Sequence, residues 1–149
     1  WEGGRNGPVF VSWPGKVTAG SECARVSTHT GLFATAATVA GAKIPKGAAA
    51  DSFSYLPLLL GDEKNYSRPP VIHHSSGGMF AIREGDWKLV LGNGSGGRQA
   101  PKGKPFGKPY FLANMKTDSD EQKNFAPSES KTVERLEKAF QKIHKNERR

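Results

Sequence analysis

Along residues 80–91, apolar and polar positions alternate. Phe80 and Ile82 alternate with Ala81 and Arg83; Trp87, Leu89 and Leu91 alternate with Lys88 and Val90. A period of two predicts strands. Glu84-Gly85-Asp86 between them predicts a turn, so Val71 to Leu91 reads as a β segment closing into a hairpin, buried on one face. Tyr110-Phe111-Leu112 reads as another strand. From Ser128 or Ser130 the period changes to that of a helix. Val133, Leu136, Phe140 and Ile143 form one apolar stripe, with Glu134 and Lys138 paired one turn apart. Such a stripe must cover an apolar surface, and the hairpin's sheet is the one expected. Lys145 to Arg149 should fray.

The first third has a different pattern. Pro8 to Trp13 is rich in β-branched and aromatic residues and is stopped by Pro14-Gly15, which predicts a buried strand. Ser27 or Thr28 could cap a helix carrying Leu32, Phe33, Ala36, Val39 and Ala40 on one face, ended by Gly41. Asp51 to Gly61 reads as a second, short helix with Ser54 as N-cap and Pro57 in the first turn. Asp62 to Pro70 is a polar linker. Gly92 to Lys108 is a long loop of Gly, Lys, Pro and Ser, expected to be mobile. The fold class is therefore α+β: a small antiparallel sheet of three or four strands packed on a C-terminal helix. The first third is expected in another layer. No internal repeat or long heptad run occurs.

Composition narrows the class. Hydrophobic residues make up 36% of 149, and Gly 18 and Pro 10 imply short elements joined by turns. No apolar run approaches the roughly 20 residues of a membrane-spanning helix. The single Cys23 excludes an internal disulfide and a Cys-rich zinc module, and reads as a small buried or half-buried residue. Trp1 to Arg5 does not read as a signal peptide, so the chain reads as part of a longer protein. A formal charge of +8 favours polyanions as partners, and Arg98, Lys102, Lys104 and Lys108 concentrate that charge in one loop.

Hydrolytic chemistry has few candidates here. His73-His74-Ser75-Ser76 sets imidazoles beside hydroxyls, but adjacent residues of a strand point to opposite faces. One histidine could meet an anionic substrate while the other packs. His29, near a helix start, reads as structural, and His144 as solvated. No nucleophile elbow, P-loop or dinucleotide fingerprint is present. Asp118-Ser119-Asp120-Glu121 lacks the glycine and distal glutamate of a calcium loop.

The sharpest signal is an ordered set of short motifs. Glu2-Gly3-Gly4 precedes Pro8 to Lys16. Ser27-Thr28-His29-Thr30-Gly31-Leu32-Phe33-Ala34-Thr35 and Ala40-Gly41-Ala42 follow, then Asp51-Ser52-Phe53-Ser54-Tyr55-Leu56-Pro57. Phe80-Ala81-Ile82-Arg83 with Trp87-Lys88-Leu89 comes next, and Asp118-x-x-Glu121-x-x-Asn124-Phe125 last. In this order and at these distances the chain resembles the type I sulfatases, specifically the arylsulfatase A and N-acetylgalactosamine sulfatase branch, over essentially its whole length.

The resemblance implies an alkaline-phosphatase-like α/β domain whose end would be residues 1–61. A small antiparallel-sheet-plus-helix domain would be residues 62–149. It implies a parent that hydrolyses sulfate esters of aryl or sugar substrates with a calcium ion and a formylglycine, in the periplasm or outside the cell. Cys23 has neither the Pro nor the Arg of the modification motif, so no catalytic residue, metal ligand or cofactor of that chemistry is expected in this chain, and it is expected to be inactive alone. His73 and His74 match a segment that could contact substrate. The partners implied are a sulfated small molecule or glycan and the rest of the sulfatase chain. Self-association of the isolated piece is plausible on exposed strand edges, and neither nucleic acid nor a membrane span is expected. The family usually has Arg where Asn6 stands, Asp where Gly31 stands and Pro at Ala34 and Ser119; Gly31 would lose a helix cap. Two alternatives stand beside this reading: a stand-alone basic polyanion-binding module, and a phosphatase or phosphonate hydrolase of the same fold.

Overall fold

The computed structural model describes residues 7–98 and 100–146. The expectations for Glu2-Gly3-Gly4, for Asn6 and for fraying at 147–149 lie outside the described residues. Two compact units divide the chain, Pro8–Arg68 and a second built on Pro69–Arg149.

The Pro8–Arg68 unit holds two helices, α1 (Gly31–Val39) and α2 (Leu56–Leu59). Both end as expected, at glycines in the left-handed region. Gly41 (φ 65°) donates to Thr38 O and Ala42 to Ala37 O. Gly61 (φ 76°) donates to Leu58 O and Asp62 to Pro57 O. This pair of bonds satisfies the carbonyls that a helix end leaves open. The start of α1 falls later than expected, with Thr30 at the N-cap and no side-chain bond from it. The Ser52 hydroxyl supplies the closure instead. It donates to Thr30 O (2.5 Å) and accepts from the Ala34 N–H (2.8 Å), so it is inserted into the first link of the helix ladder. Thr35 Oγ1 repeats the device, donating to Gly31 O and accepting from the Tyr55 N–H.

Gly31 is fitted to this arrangement. A Cβ there would lie 2.6 Å from Phe53 O and 3.0 Å from the Tyr55 ring. The glycine that departs from the family pattern therefore admits a close approach, and the absent cap is made good by Ser52.

Pro8–Trp13 forms no strand. Among the described residues no strand pairs with it, and only the Trp13 carbonyl, which accepts from the Lys16 and Val17 N–H groups, has a backbone bond among those described. Val9, Phe10 and Val11 are exposed, Phe10 at 91%, and Trp13 is half-buried.

The second unit is a four-stranded antiparallel sheet in the order β1 (Val71–His74), β2 (Phe80–Glu84), β3 (Trp87–Leu91) and β4 (Phe111–Asn114), followed by α3 (Ser130–Asn146). Glu84 pairs with Trp87, so Gly85-Asp86 is a two-residue turn, and Gly85 takes the positive φ (56°) it needs. The α3 stripe covers one face as expected. Leu136 and Phe140 are buried against Ile82, Leu89, Leu91, Tyr110 and Leu112, with Val133 and Ala139 at the margin. Arg135 and Glu84 form an ion pair that ties α3 to the end of β2.

The expectation of a sheet buried on one face is corrected. Ala81, Lys88 and Ala113 lie on the face away from α3 and are exposed by only 4%, 0% and 0%. Turns and loops cover that face, so alternation here separates two buried environments.

Two outcomes follow. Leu136→Ala should cost about 2–5 kcal/mol in chemical denaturation, the usual loss for a fully packed leucine. Gly31→Asp, the family's residue, should destabilise by about 1–3 kcal/mol because its Cβ has no room; a gain in melting temperature would contradict the packing described.

Candidate functional site

β1 places the two candidate histidines apart. His73 pairs with Ala81 and His74 with Phe80, so their side chains leave opposite faces of the sheet. They cannot form one site. The His73 ring is partly buried, and its Nε2 is fully buried without a hydrogen-bond partner among the described residues. His74 is exposed at the strand end, its Nδ1 lies 3.0 Å from Ser75 O, and its ring lies 5.7 Å from that of Phe80.

Ser75 is held in the chain's own folding. Its hydroxyl donates to Gly96 O (2.5 Å) and accepts from the Met79 N–H (3.1 Å). The Gly77 N–H also donates to Gly96 O. These bonds pin the β1–β2 turn to the segment after β3. That segment, expected to be mobile, is bonded along its length. Ser95 N–H donates to Pro101 O, Gly96 N–H to Lys102 O and Phe106 N–H to Leu91 O. Asn93 accepts from the Lys104 N–H and donates to Lys108 O. The glycines are there for space: a Cβ at Gly94 would meet Gly103 N at 2.5 Å, and one at Gly77 would meet Gly96 O at 2.5 Å. The glycine-rich stretch is a packing device.

Beneath this cover lies a feature that the alternating pattern conceals. Lys88 Nζ meets Glu121 Oε1 at 2.6 Å, and both side chains are fully buried. Glu121 takes a left-handed backbone (φ 55°), rare for a residue with a Cβ, to deliver its carboxylate. A cavity of about 40 Å³ adjoins the pair, lined among others by Ser75, Met79, Ala81 and Ser95. This is room for a water molecule, with polar groups to hold it.

The other two residues of the Asp118-x-x-Glu121-x-x-Asn124 motif also build the scaffold. Asp118 accepts the Gln122 and Lys123 N–H groups at 3.0 and 2.8 Å, and those two bonds hold its carboxyl below its ordinary pKa of 3.8. Asn124 extends the sheet with its side chain. Its Oδ1 accepts from the Leu112 N–H (3.0 Å) and its Nδ2 donates to Tyr110 O (3.1 Å). Burial first, then the Glu137 carboxylate that accepts its proton at 3.2 Å, raise the Tyr110 hydroxyl pKa.

Three single-residue expectations change or settle. His144 is not simply solvated: its ring is half-buried, stacks on Phe140 at 5.2 Å and meets Phe80 edge-on at 5.5 Å. Cys23 is exposed, since it lies in a segment with no core around it. His29 is exposed, and its carbonyl accepts the Leu32 N–H at the entry to α1. No group of three His, Cys, Asp or Glu side chains able to hold a metal ion forms among the described residues. No step through calcium or formylglycine is assigned to the described residues.

Comparison with known proteins gives the class. No family model matches the chain. It is 32% identical to rat steryl-sulfatase over 82 residues, 55% of this chain and 14% of that protein. It is 34% identical to the N-acetylgalactosamine-6-O-sulfatase of Bacteroides thetaiotaomicron over 91 residues, 60% of this chain and 17% of that protein. Among solved structures, Ps i-CgsB superposes with a TM-score of 0.68 at 22% identity, covering 88% of this chain and 27% of that one. A Bacteroides thetaiotaomicron structure from a locus for metabolism of multiple glycosaminoglycans gives 0.61 at 23% identity, over 76% of this chain and 24% of that one. The chain is a homologue of the sulfatases. It spans about a sixth of the curated relatives' length, a partial coverage that fits their C-terminal region.

Lys88→Met should cost about 3–5 kcal/mol because it strands a buried carboxylate, whereas Lys88→Met with Glu121→Gln should recover part of the loss. Urea denaturation of the two variants checks both. Asp118, whose pKa is lowered on folding, stabilises its turn above about pH 4, and that contribution is lost as pH falls through the folded-state value. A carboxyl NMR titration of Asp118 should give a midpoint below 3.8.

Proposed function

We propose that the chain is the carboxyl-terminal region of a sulfuric ester hydrolase and does not hydrolyse sulfate esters by itself. The sequence likeness to steryl-, N-acetylgalactosamine-6- and aryl-sulfatases carries this reading. The likeness to the fold of Ps i-CgsB, solved in complex with k-i-k-neocarrahexaose, fits a glycan as one class of substrate. On this reading Pro8–Arg68 is the end of an alkaline-phosphatase-like domain, which accounts for its exposed apolar side chains: the rest of that domain covers them. The formylglycine and calcium belong to the preceding part of the parent, which acts in the periplasm or outside the cell. They supply the nucleophile and the positive charge that sulfate transfer requires.

This chain's own contribution would be a rigid floor and an edge. The Lys88–Glu121 pair and the loops pinned over it fix β1, and β1 presents His74 to solvent, where it can meet an anionic substrate group. His73, with its Nε2 buried, positions the strand. The purified 149-residue chain should release no sulfate from p-nitrocatechol sulfate, with or without calcium, while the longer protein made by the native host should do so. Turnover by the short chain above background would overturn the assignment of chemistry to the missing part; a native product that is longer but inert would overturn the sulfatase reading.

A further inference from the structure

In the sheet unit, Phe106 is the one large hydrophobic side chain among the described residues left exposed, at 49%. The fold holds it there. Phe106 sits in the left-handed region (φ 58°), where a side chain is costly, and its N–H is fixed to Leu91 O at 2.7 Å. The next turn bond runs from the Gly107 N–H to Lys104 O (3.0 Å). The ring lies 5.9 Å from Phe80 and 6.0 Å from Phe140, so an exposed aromatic face is backed by two packed ones. Two imidazoles flank the same cluster. His74 contacts Phe80 from β1, and His144 contacts both Phe80 and Phe140 from α3. The turn that carries Phe106 also carries the exposed Lys104.

We propose that Phe106, His74 and His144 form a saccharide-binding platform on this chain, taking a sulfated sugar. A pyranose lays its C–H face on an exposed aromatic ring, and imidazole N–H groups donate to sulfate oxygens. The backing rings and the turn bonds order the platform before any ligand arrives, which lowers the entropy cost of binding. The chain's net charge of +8 favours an anionic sugar over a neutral one. The choice of sulfate as the anion rests on the sulfatase reading above; the platform itself rests on the cluster.

The test is calorimetric titration of the 149-residue chain with a chondroitin sulfate hexasaccharide and its desulfated counterpart. Methyl NMR signals of Leu112 and Leu136 report that the sheet is intact. The sulfated sugar should bind, with the desulfated one at least about tenfold weaker. Phe106→Ala should weaken binding about tenfold, the order expected for one aromatic anchor, and Phe106→Tyr should retain it. His74→Gln with His144→Gln should weaken the sulfated sugar more than the desulfated one. Equal affinity for both sugars, or binding unchanged by Phe106→Ala with methyl signals intact, overturns the proposal; the latter assigns binding to diffuse charge. Neither result bears on whether the parent hydrolyses sulfate, which the turnover assay decides separately.

Discussion

The sheet unit depends on the contact between Lys88 and Glu121. Two charges wholly removed from water would each cost several kcal/mol if left alone. They are tolerated because Nζ and Oε1 meet at 2.6 Å where solvent cannot screen them. The pair also links distant parts of the chain. Lys88 lies in β3, an inner strand of the sheet, while Glu121 lies in the turn between β4 and α3, in a backbone conformation that residues with a Cβ rarely adopt. Breaking the link would release that turn. With it would go Asn124, which extends the sheet at Tyr110 and Leu112, and Phe125, whose ring packs against Trp87. The three fixed points of the Asp118-x-x-Glu121-x-x-Asn124 motif thus act as one clamp: a turn stop, a buried anion and a substitute strand.

Enclosing the pair imposes a second constraint, that the outer face of the sheet be covered. The cover comes from backbone at very short range, and this explains the glycines. A Cβ at Gly77 or Gly94 would meet loop backbone at 2.5 Å, and one at Gly96 would meet the Met79 side chain at 2.1 Å and the Ser75 hydroxyl at 2.6 Å. Ser75 joins the layers by one hydroxyl that donates to one loop and accepts from its own turn. A residue set that looks like chemistry in the sequence, histidines beside serines next to glycines, is mostly spent on closing a lid over a charge.

Much of the second unit was legible in the sequence. Alternation from Phe80 to Leu91, the Gly85-Asp86 turn and the 133–143 stripe correspond to β2, β3 and α3, because each is a local periodicity answered by one large partner surface. The burial of the outer face was not legible. Arg83 and Lys88 share that parity, and two cations among small apolar residues read as a solvated face. Only the fold brings Glu121 beneath Lys88; an acidic turn residue forced to positive φ carries no local mark. The close packing of the described part of Gly92–Lys108 was not legible for a related reason, since glycine signals freedom in isolation and close approach in context. Pro8–Trp13 failed in the opposite direction. Its side chains suit a buried strand, but strand propensity expresses the fit to neighbours, and among the described residues none is present.

The histidines show where local reasoning succeeded and where it stopped. Strand geometry alone required His73 and His74 to diverge, and they do. It could not say what each would meet. His74 joins a ring cluster assembled from β1, β2, the loop before β4 and α3, in which His144, seventy positions away and read as solvated, stacks on Phe140. The helical stripe places Phe140 inward, and a residue four positions on lies one turn further along the same face. His144 therefore had to lie at the end of that stripe, stacked on Phe140 and edge-on to Phe80. Half-burial of this imidazole follows from its place at the rim of the aromatic cluster, against Phe140 and Phe80. It leaves a polar, aromatic edge where the core would otherwise end in aliphatic side chains, and that edge, rather than the buried charge pair, is the part of this unit able to meet a ligand.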